Sequence, residues 1–443
     1  MNKIYRYLFI AFGFLLSINQ GVTIILGTLQ TGVQRGADII MPVDIPVYLL
    51  LILKNDRSRR SKYGNKVSTI KVLLFLFLVW SLSGEFVSVE PPEFRFGFVH
   101  LARAIIIAYC VLTRLTQKSE LLAFVKGMMY GLLFQAFVGV WQWQIGPLYI
   151  PFFEMYPTWR STGTIAVANA YGVYLISLLP LAIRLALFTN IKPKLLWYTI
   201  SVLAAGALFA SYTRGAWLAF VVSMALFFVL DFKNQKLNSK QLSLFMFMSV
   251  VAMVFIGVKY GTEISSRMSD TSESLMGEKK HSRMGMARDA MKVIDKNKIF
   301  GVGLNNYHFH ADEEMQGTRI VHNAYLLIMA QQGVPGFLLF ALIHFLAFRS
   351  GFKIKHTRDN QLYHIGMATL CGLTAVLIYH NVAPDYRTIL VLWQHWRLMA
   401  MVVAVLVVED ITRKTLIQKQ IYLQQLNRRK GKDIPSLIPN STT

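Results

Sequence analysis

Residues 195–231 read LLWYTISVLAAGALFASYTRGAWLAFVVSMALFFVLD, and between Lys194 and Asp231 the one charged residue is Arg214. Two apolar runs of about 18 residues flank the short polar turn Ser211-Tyr-Thr-Arg214-Gly215. As helices rising about 1.5 Å per residue, each is about 27 Å long, close to the hydrocarbon thickness of a bilayer. The stretch therefore reads as a helical hairpin across a membrane. Hydrophobic side chains make up 54% and aromatics 13% of the 443 residues, more apolar surface than a soluble domain of that size can bury.

Similar runs lie near 4–27, 37–53, 69–88, 96–113, 121–144, 165–188, 242–259, 321–347, 362–380 and 388–408. They predict an all-α, polytopic membrane protein of about twelve transmembrane helices. Nine spans fall within 1–259, a helical periplasmic loop occupies 260–320, three spans fall within 321–409, and 410–443 is a basic cytoplasmic tail. The first two spans are interrupted, because Asn19 to Gly27 and Ala37 to Ile45 are short and carry Gly, Pro and Asp. Met1 to Ser17 has the basic start and apolar stretch of a signal peptide, but no small-residue cleavage site follows, so it is read as the first membrane helix.

Lys and Arg outnumber Asp and Glu by 46 to 23. In a soluble chain that excess would suggest nucleic acid; here it lies in short loops and sets topology, so no nucleic-acid partner is expected. The basic loops alternate. Lys3 and Arg6, the stretch Lys54 to Lys66, Arg114 and Lys118, Lys192 and Lys194, Lys233 to Lys240, Arg349 to Arg358 and the tail share one side with both termini. That side is assigned to the cytoplasm. Glu85, Glu90 and Glu93, the aromatic loop Pro147 to Arg160, the turn at Arg214, the loop Tyr260 to Arg319 and the turn His380 to Arg387 lie outside. Within the long loop, Met284, Ala287, Met291 and Ile294 recur at helical spacing over Ser282 to Asn297 and predict an amphipathic helix on the membrane or over a cavity. The tail from Asp410 to Lys432 reads as a basic helix suited to an anionic leaflet, and Ile434 to Thr443 as disordered. Cys110 and Cys371 both fall in apolar runs and read as core packing.

Arg and His cluster at the outer span ends. Arg160 opens Arg160-Ser-Thr-Gly163, with Asn169 following; Arg214 sits in the tight hairpin turn; Arg283 and Arg288 lie on the loop helix; His322-Asn323 opens the tenth span. Topology disfavours positive charge on this side, so these residues need another reason. A single Arg can snorkel to headgroups and a single His can cap a helix, but several together suit an anionic substrate at the boundary. Guanidinium forks bind phosphate oxygens bidentately and stay charged. His322 suits proton transfer near neutral pH, and Asn323 can orient substrate or backbone. His380, Asn381 and Asp385 end the eleventh span and can line the same cavity. Arg103, His395 and Arg397 lie within spans, where charge must face a cavity or a partner. Gly301-Val-Gly303 lacks the strand and third Gly of a dinucleotide loop and reads as a turn. Asp312-Glu-Glu314 reads as a solvated run, and no paired Asp motif offers a metal site, so neither metal nor cofactor is expected.

These residues resemble the bacterial O-antigen ligase and O-antigen polymerase superfamily over about Arg160 to Gly336. The most specific piece is His322-Asn323, nine residues, then Gly333-Val-Pro-Gly336. Arg214 in Ser-x-x-Arg-Gly looks like the family's first functional Arg. Arg283, followed by Asp289-Ala290 and Ile299-Phe-Gly-Val-Gly303, looks like the second. The ligase pattern often continues with two Thr, where this chain has Phe337 and Leu338. The resemblance implies a metal-independent, inverting glycosyltransferase with a GT-C-like membrane fold in the bacterial inner membrane, acting at the periplasmic face. Its donor would be a glycan on undecaprenyl pyrophosphate. A ligase passes that glycan to lipid A-core, and a polymerase passes it to another lipid-linked repeat. By this resemblance Arg214, Arg283 and His322 are catalytic, and the residue reading of the outer cluster adds Arg160, Arg288, Asn323, Asn169 and His380 as binding substrate among membrane lipids. A transporter of lipid-linked solutes is the competing reading. It would need charges leading to both faces and a repeat relating two halves, neither of which the sequence displays.

Overall fold

The computed structural model describes residues 3–18, 22–28, 34–53, 61, 63–148, 160–165, 167–233, 283–311 and 320–429. Span nine at 242–259, Asp312-Glu-Glu314 and the chain after Arg429 lie outside them, as do most of the aromatic loop and the first part of the 260–320 loop. The helices are α1 (Lys3–Leu15), α2 (Asp44–Ile52), α3 (Gly64–Leu82), α4 (Pro91–Arg114), α5 (Lys118–Gln144), α6 (Ala168–Phe188), α7 (Lys194–Ala210), α8 (Arg214–Lys233), α9 (Arg283–Lys296), α10 (Ala324–Gly351), α11 (Asn360–Tyr379) and α12 (Ile389–Arg429). Eight of these, α3 to α6, α8 and α10 to α12, are long and apolar enough to cross a membrane, and α7 is a shorter apolar helix of 17 residues. The chain is thus an integral membrane protein.

Spans one and two are not continuous helices. Val22–Thr28 and Gln34–Ile40 form an antiparallel ribbon, β1 and β2, in which Val22 faces Ile40 and Thr28 faces Gln34. Four consecutive residues of β1, Val22-Thr-Ile-Ile25, are β-branched, which restricts helical rotamers and favours a pleated strand. Helix α1 keeps 13 residues and α2 keeps 9, each too short to span alone. Helix α1 lies along α5 at close range: a Cβ on Gly127 would fall 2.1 Å from the Ile10 carbonyl oxygen, and one on Gly13 would fall 2.3 Å from that of Phe124. Small residues thus let two backbones meet where apolar burial gains nothing over lipid. Helix α2 lies along α4, and at its start Asp44 accepts the Arg103 Nε–H at 2.9 Å and the Met41 backbone N–H at 2.9 Å. Arg103 thereby has a partner, as a charge at that depth requires.

Helices α6, α11 and α12 form the buried centre, whereas α3 and α8 keep one apolar face outward, with Val72, Phe75, Val79, Leu218 and Val221 exposed. The two ends of the bundle differ. At one end lie Lys118 paired with Asp359, the Asn360 side chain on the Phe188 carbonyl, and Ser61 on Asp410. Just inside it, Arg184 pairs with Asp231, which also accepts the Tyr363 hydroxyl, tying α6, α8 and α11 together. The other end holds the Arg and His residues of interest.

Candidate functional site

The short α7–α8 connection sets the first element. Tyr212 adopts φ 49°, so Ser211 to Thr213 reverse the chain within three residues and leave Arg214 as the first residue of α8. Arg160 is fixed against this turn. Its Nε donates to the Ser211 carbonyl at 2.8 Å, and one Nη donates to Asn169 Oδ1 at 2.7 Å and Thr213 Oγ1 at 3.1 Å. The segment carrying it is threaded into the bundle: Ser161 N donates to the Ala210 carbonyl, its hydroxyl donates to the Gly139 carbonyl, and Gln142 Oε1 accepts the Thr162 and Gly163 N–H groups. Arg160 and Arg214 therefore stand on one rigid floor. Asn169 serves here as the partner that holds Arg160.

The second element is the turn from Tyr379 to Asp385. The Tyr379 hydroxyl donates to Asp385 Oδ2 at 2.8 Å. Burial raises the Asp385 carboxyl above its ordinary value, and the Tyr379 hydroxyl and the Arg160 charge oppose that rise. Gly215, next to Arg214, abuts this turn: a Cβ there would lie 3.0 Å from Val382 and 3.2 Å from the Tyr379 ring. Arg160 and Arg283 both act electrostatically on Tyr379. The start of α10 docks on the same turn, where Ala324 N donates to the His380 carbonyl at 2.8 Å and the Asn323 side chain donates to the Asn381 carbonyl at 3.3 Å. One turn thus receives Arg160, the start of α8 at Arg214 and the His322-Asn323 pair, and the Arg283 charge acts on its Tyr379 from α9. The His322 Nδ1 lies 3.0 Å from the Ile320 carbonyl. A proton on Nδ1 donated to that oxygen leaves Nε2 as the basic nitrogen.

The third element seats Arg283. It heads α9, which buries Met286, Asp289, Ala290, Val293 and Ile294 against Tyr307, Val321, Leu327 and Ala330. The expected face of Met284, Ala287, Met291 and Ile294 is only partly used, since Met284 and Met291 are exposed. The helix has a second apolar stripe, and packing on α10 selected it. Beyond α9, residues 298–303 insert into a break in α10 at Gly333, where φ is 68° and ψ is 177°. Val334 N donates to the Lys298 carbonyl at 2.8 Å, Val302 N to the Ala330 carbonyl at 2.9 Å, and Gly303 N to the Gln331 carbonyl at 3.0 Å. Gly301 and Gly303 also have positive φ, so the Gly-x-Gly is a docking turn, as its sequence suggested. Its partner is the Gly333-Val-Pro-Gly336 break, and the two motifs close on each other.

Some expected residues point away from the site or are engaged by the backbone. Arg288 is exposed and lies five residues beyond Arg283, about 140° around the helix, so the two do not point to one place. The Asn323 side chain caps α10, accepting from Tyr325 N at 2.9 Å and Leu326 N at 3.1 Å. His380 is fully buried with its ring turned inward, Nε2 lying 3.3 Å from His395 Nδ1, so it faces the bundle interior. Arg397 is also fully buried, against Met128. Tyr379 and Thr213 were missed, because a Tyr at a span end and a Thr in a turn read as ordinary boundary residues. The hydroxyl pair Ser211 and Thr213 before Arg214 was the available signal. Among the described residues no group of three His, Cys, Asp or Glu side chains is arranged to hold a metal ion.

Residues 199–341 match the family model described as O-Antigen ligase. Over that segment the chain is similar to the O-antigen ligase family. The segment runs from within α7 to within α10 and so contains Arg214, Arg283, His322 and the Gly333 break. The match supports the O-antigen ligase and polymerase superfamily, a group of membrane glycosyltransferases that join a lipid-linked glycan to a glycan acceptor. No curated protein matches the chain.

Proposed function

We propose that the chain transfers an undecaprenyl-pyrophosphate-linked glycan to an acceptor hydroxyl at the periplasmic face of the bacterial inner membrane, in the manner of a ligase that uses lipid A-core. The observation that supports this reading is that Arg160, the start of α8 at Arg214 and His322-Asn323 meet at the Tyr379 to Asp385 turn, with the Arg283 charge acting on Tyr379. Arg214 and Arg283, with Arg160 beside them, meet the charge of the departing pyrophosphate. His322 takes the acceptor hydroxyl proton on Nε2 as the oxygen attacks the anomeric carbon. The new C–O bond forms as the bond to phosphate breaks, its electron pair leaves on the pyrophosphate, and the sugar centre inverts. A leaving group met by guanidinium charge needs no metal or cofactor. Phe337-Leu338, in place of two Thr, favours the second reading, a polymerase whose acceptor is another lipid-linked repeat.

Deleting the gene and resolving surface polysaccharide on a gel distinguishes the two. Long chains retained on the carrier lipid mean a ligase, and capped single repeats mean a polymerase. Complementation with Arg214→Ala or His322→Ala is expected to fail with the protein still in the membrane, a rate loss of about 10²-fold or more. Full rescue by both variants would sink the assignment.

A further inference from the structure

At the end of the bundle opposite the arginine site, α3 and α10 leave a cavity of about 180 Å³ lined by Lys66, Thr69, Ile70, Leu346, Arg349 and Ser350. Two cations line it, Lys66 on α3 and Arg349 on α10, and exposed Lys353, on the 3₁₀ turn that follows α10, lies beside Lys66. The Lys66 and Lys353 side chains meet within hydrogen-bonding range, and the Arg349 charge acts on the same ammonium. Like charges at contact repel, and separate flexible side chains this long have room to part. Among the described residues none of the three pairs with a carboxylate. The Thr69 and Ser350 hydroxyls donate to their own helix backbones, at Asn65 and Leu346, so among the described residues the charge lining the cavity is cationic.

The two helices that wall it also carry exposed apolar rows. Val72, Phe75, Leu76 and Val79 on α3, and Leu338, Leu342 and Phe345 on α10, are all exposed, and their rows lead from the cavity toward the other end of the bundle. A free inorganic anion would satisfy the cations and leave those rows unused. A diacyl lipid with a negative phosphodiester matches both parts, with its headgroup among the three cations and its chains along the rows.

We propose that this cavity binds the headgroup of an anionic phospholipid, holding it in the α3–α10 groove. The full-length protein, purified in detergent, is titrated with dioleoyl phosphatidylglycerol and retained lipid is counted by native mass spectrometry. Dioleoyl phosphatidylcholine and inorganic phosphate serve as the comparison probes. Phosphatidylglycerol is expected to be retained over phosphatidylcholine. Each of Lys66→Gln and Lys353→Gln is expected to weaken retention about five-fold. Lys126→Gln, on a different helix, is expected to leave it unchanged. Equal retention of both lipids, or no loss in the two cavity variants, overturns the proposal. Displacement of the lipid by millimolar phosphate also overturns it, since the site would then serve a free anion. Should the variants fail to fold, the wild type decides. Raising sodium chloride from about 0.05 to 0.5 M should strip phosphatidylglycerol, and salt-independent retention refutes the charge argument.

Discussion

Replacing Gly333 by Ala tests whether the break in α10 is what seats Arg283. The backbone there, at φ 68° and ψ 177°, is open in practice only to glycine, and forcing an L side chain into it costs about 1–3 kcal/mol. The added Cβ would lie 1.9 Å from the Ile299 carbonyl oxygen, 2.5 Å from its carbon and 2.9 Å from the Lys298 oxygen. All three are backbone atoms, so the inserted 298–303 segment must shift. That puts at risk the three hydrogen bonds from Val334, Val302 and Gly303, at about 0.5–1.5 kcal/mol each. The combined cost is about 2.5–7.5 kcal/mol, which raises the population of the undocked segment by about 10²- to 10⁵-fold. Arg283, carried on α9, leaves the Tyr379 turn with it. Limited proteolysis of the purified protein reads the undocking directly, and surface polysaccharide in complemented cells reads its consequence. The variant is expected to be cut within 297–311 at least about ten times faster than wild type and to lose most of its transfer activity. Gly206→Ala is the control, because a Cβ there meets only Val140 at 3.8 Å. A Gly333→Ala protein with wild-type protease resistance and activity would refute the reasoning.

Three further outcomes follow from the site and the bundle. Burial raises the Asp385 carboxyl, so the native state holds a proton that the unfolded chain, with its ordinary value near 3.9, has released; this residue's contribution to stability is complete below that value and is lost as pH rises through the raised one. Asp385→Asn should therefore flatten the fall in thermal midpoint from about pH 4 upward, and parallel wild-type and variant curves would contradict the assignment. Arg184→Ala strands Asp231 inside the bundle and is expected to cost about 3–5 kcal/mol, whereas the double change Arg184→Met with Asp231→Leu recovers most of it; denaturation of the purified proteins measures both. Because guanidinium groups, rather than a carboxylate cage, gather at the site, a chelator such as EDTA is expected to leave glycan transfer in washed membranes within about two-fold of the untreated rate, and a dependence restored by one divalent ion would reject that chemistry.

The ribbon at β1 and β2 and the paired helices α1 and α2 mark where the sequence misled. A hydropathy average treats Val22-Thr-Ile-Ile25 as span material, yet β-branching and the nearby glycines matter more once Asp44 can be met by Arg103 across the bundle. That ion pair joins residues 59 apart in the chain, and no local pattern announces it. His380 and Asn323 show a related limit. Each sits at the right end of its helix, but the His380 ring packs inward on His395 and the Asn323 oxygen caps α10.

The amino-acid order alone determined that the chain carries many apolar runs of membrane length, and that Arg160, Arg214 and His322 lie at the ends of such runs with Arg283 on a loop helix, because run length and helical spacing are local properties. Only the tertiary structure decided which of these residues meet. Helical spacing fixes the angle between neighbours on one helix, so Arg288 parts from Arg283, but it carries no information on which helix ends pack together. That choice came from long-range contacts: the Gly301 to Gly303 turn closing on the Gly333 break, and the Tyr379 to Asp385 turn receiving the ends of α8 and α10.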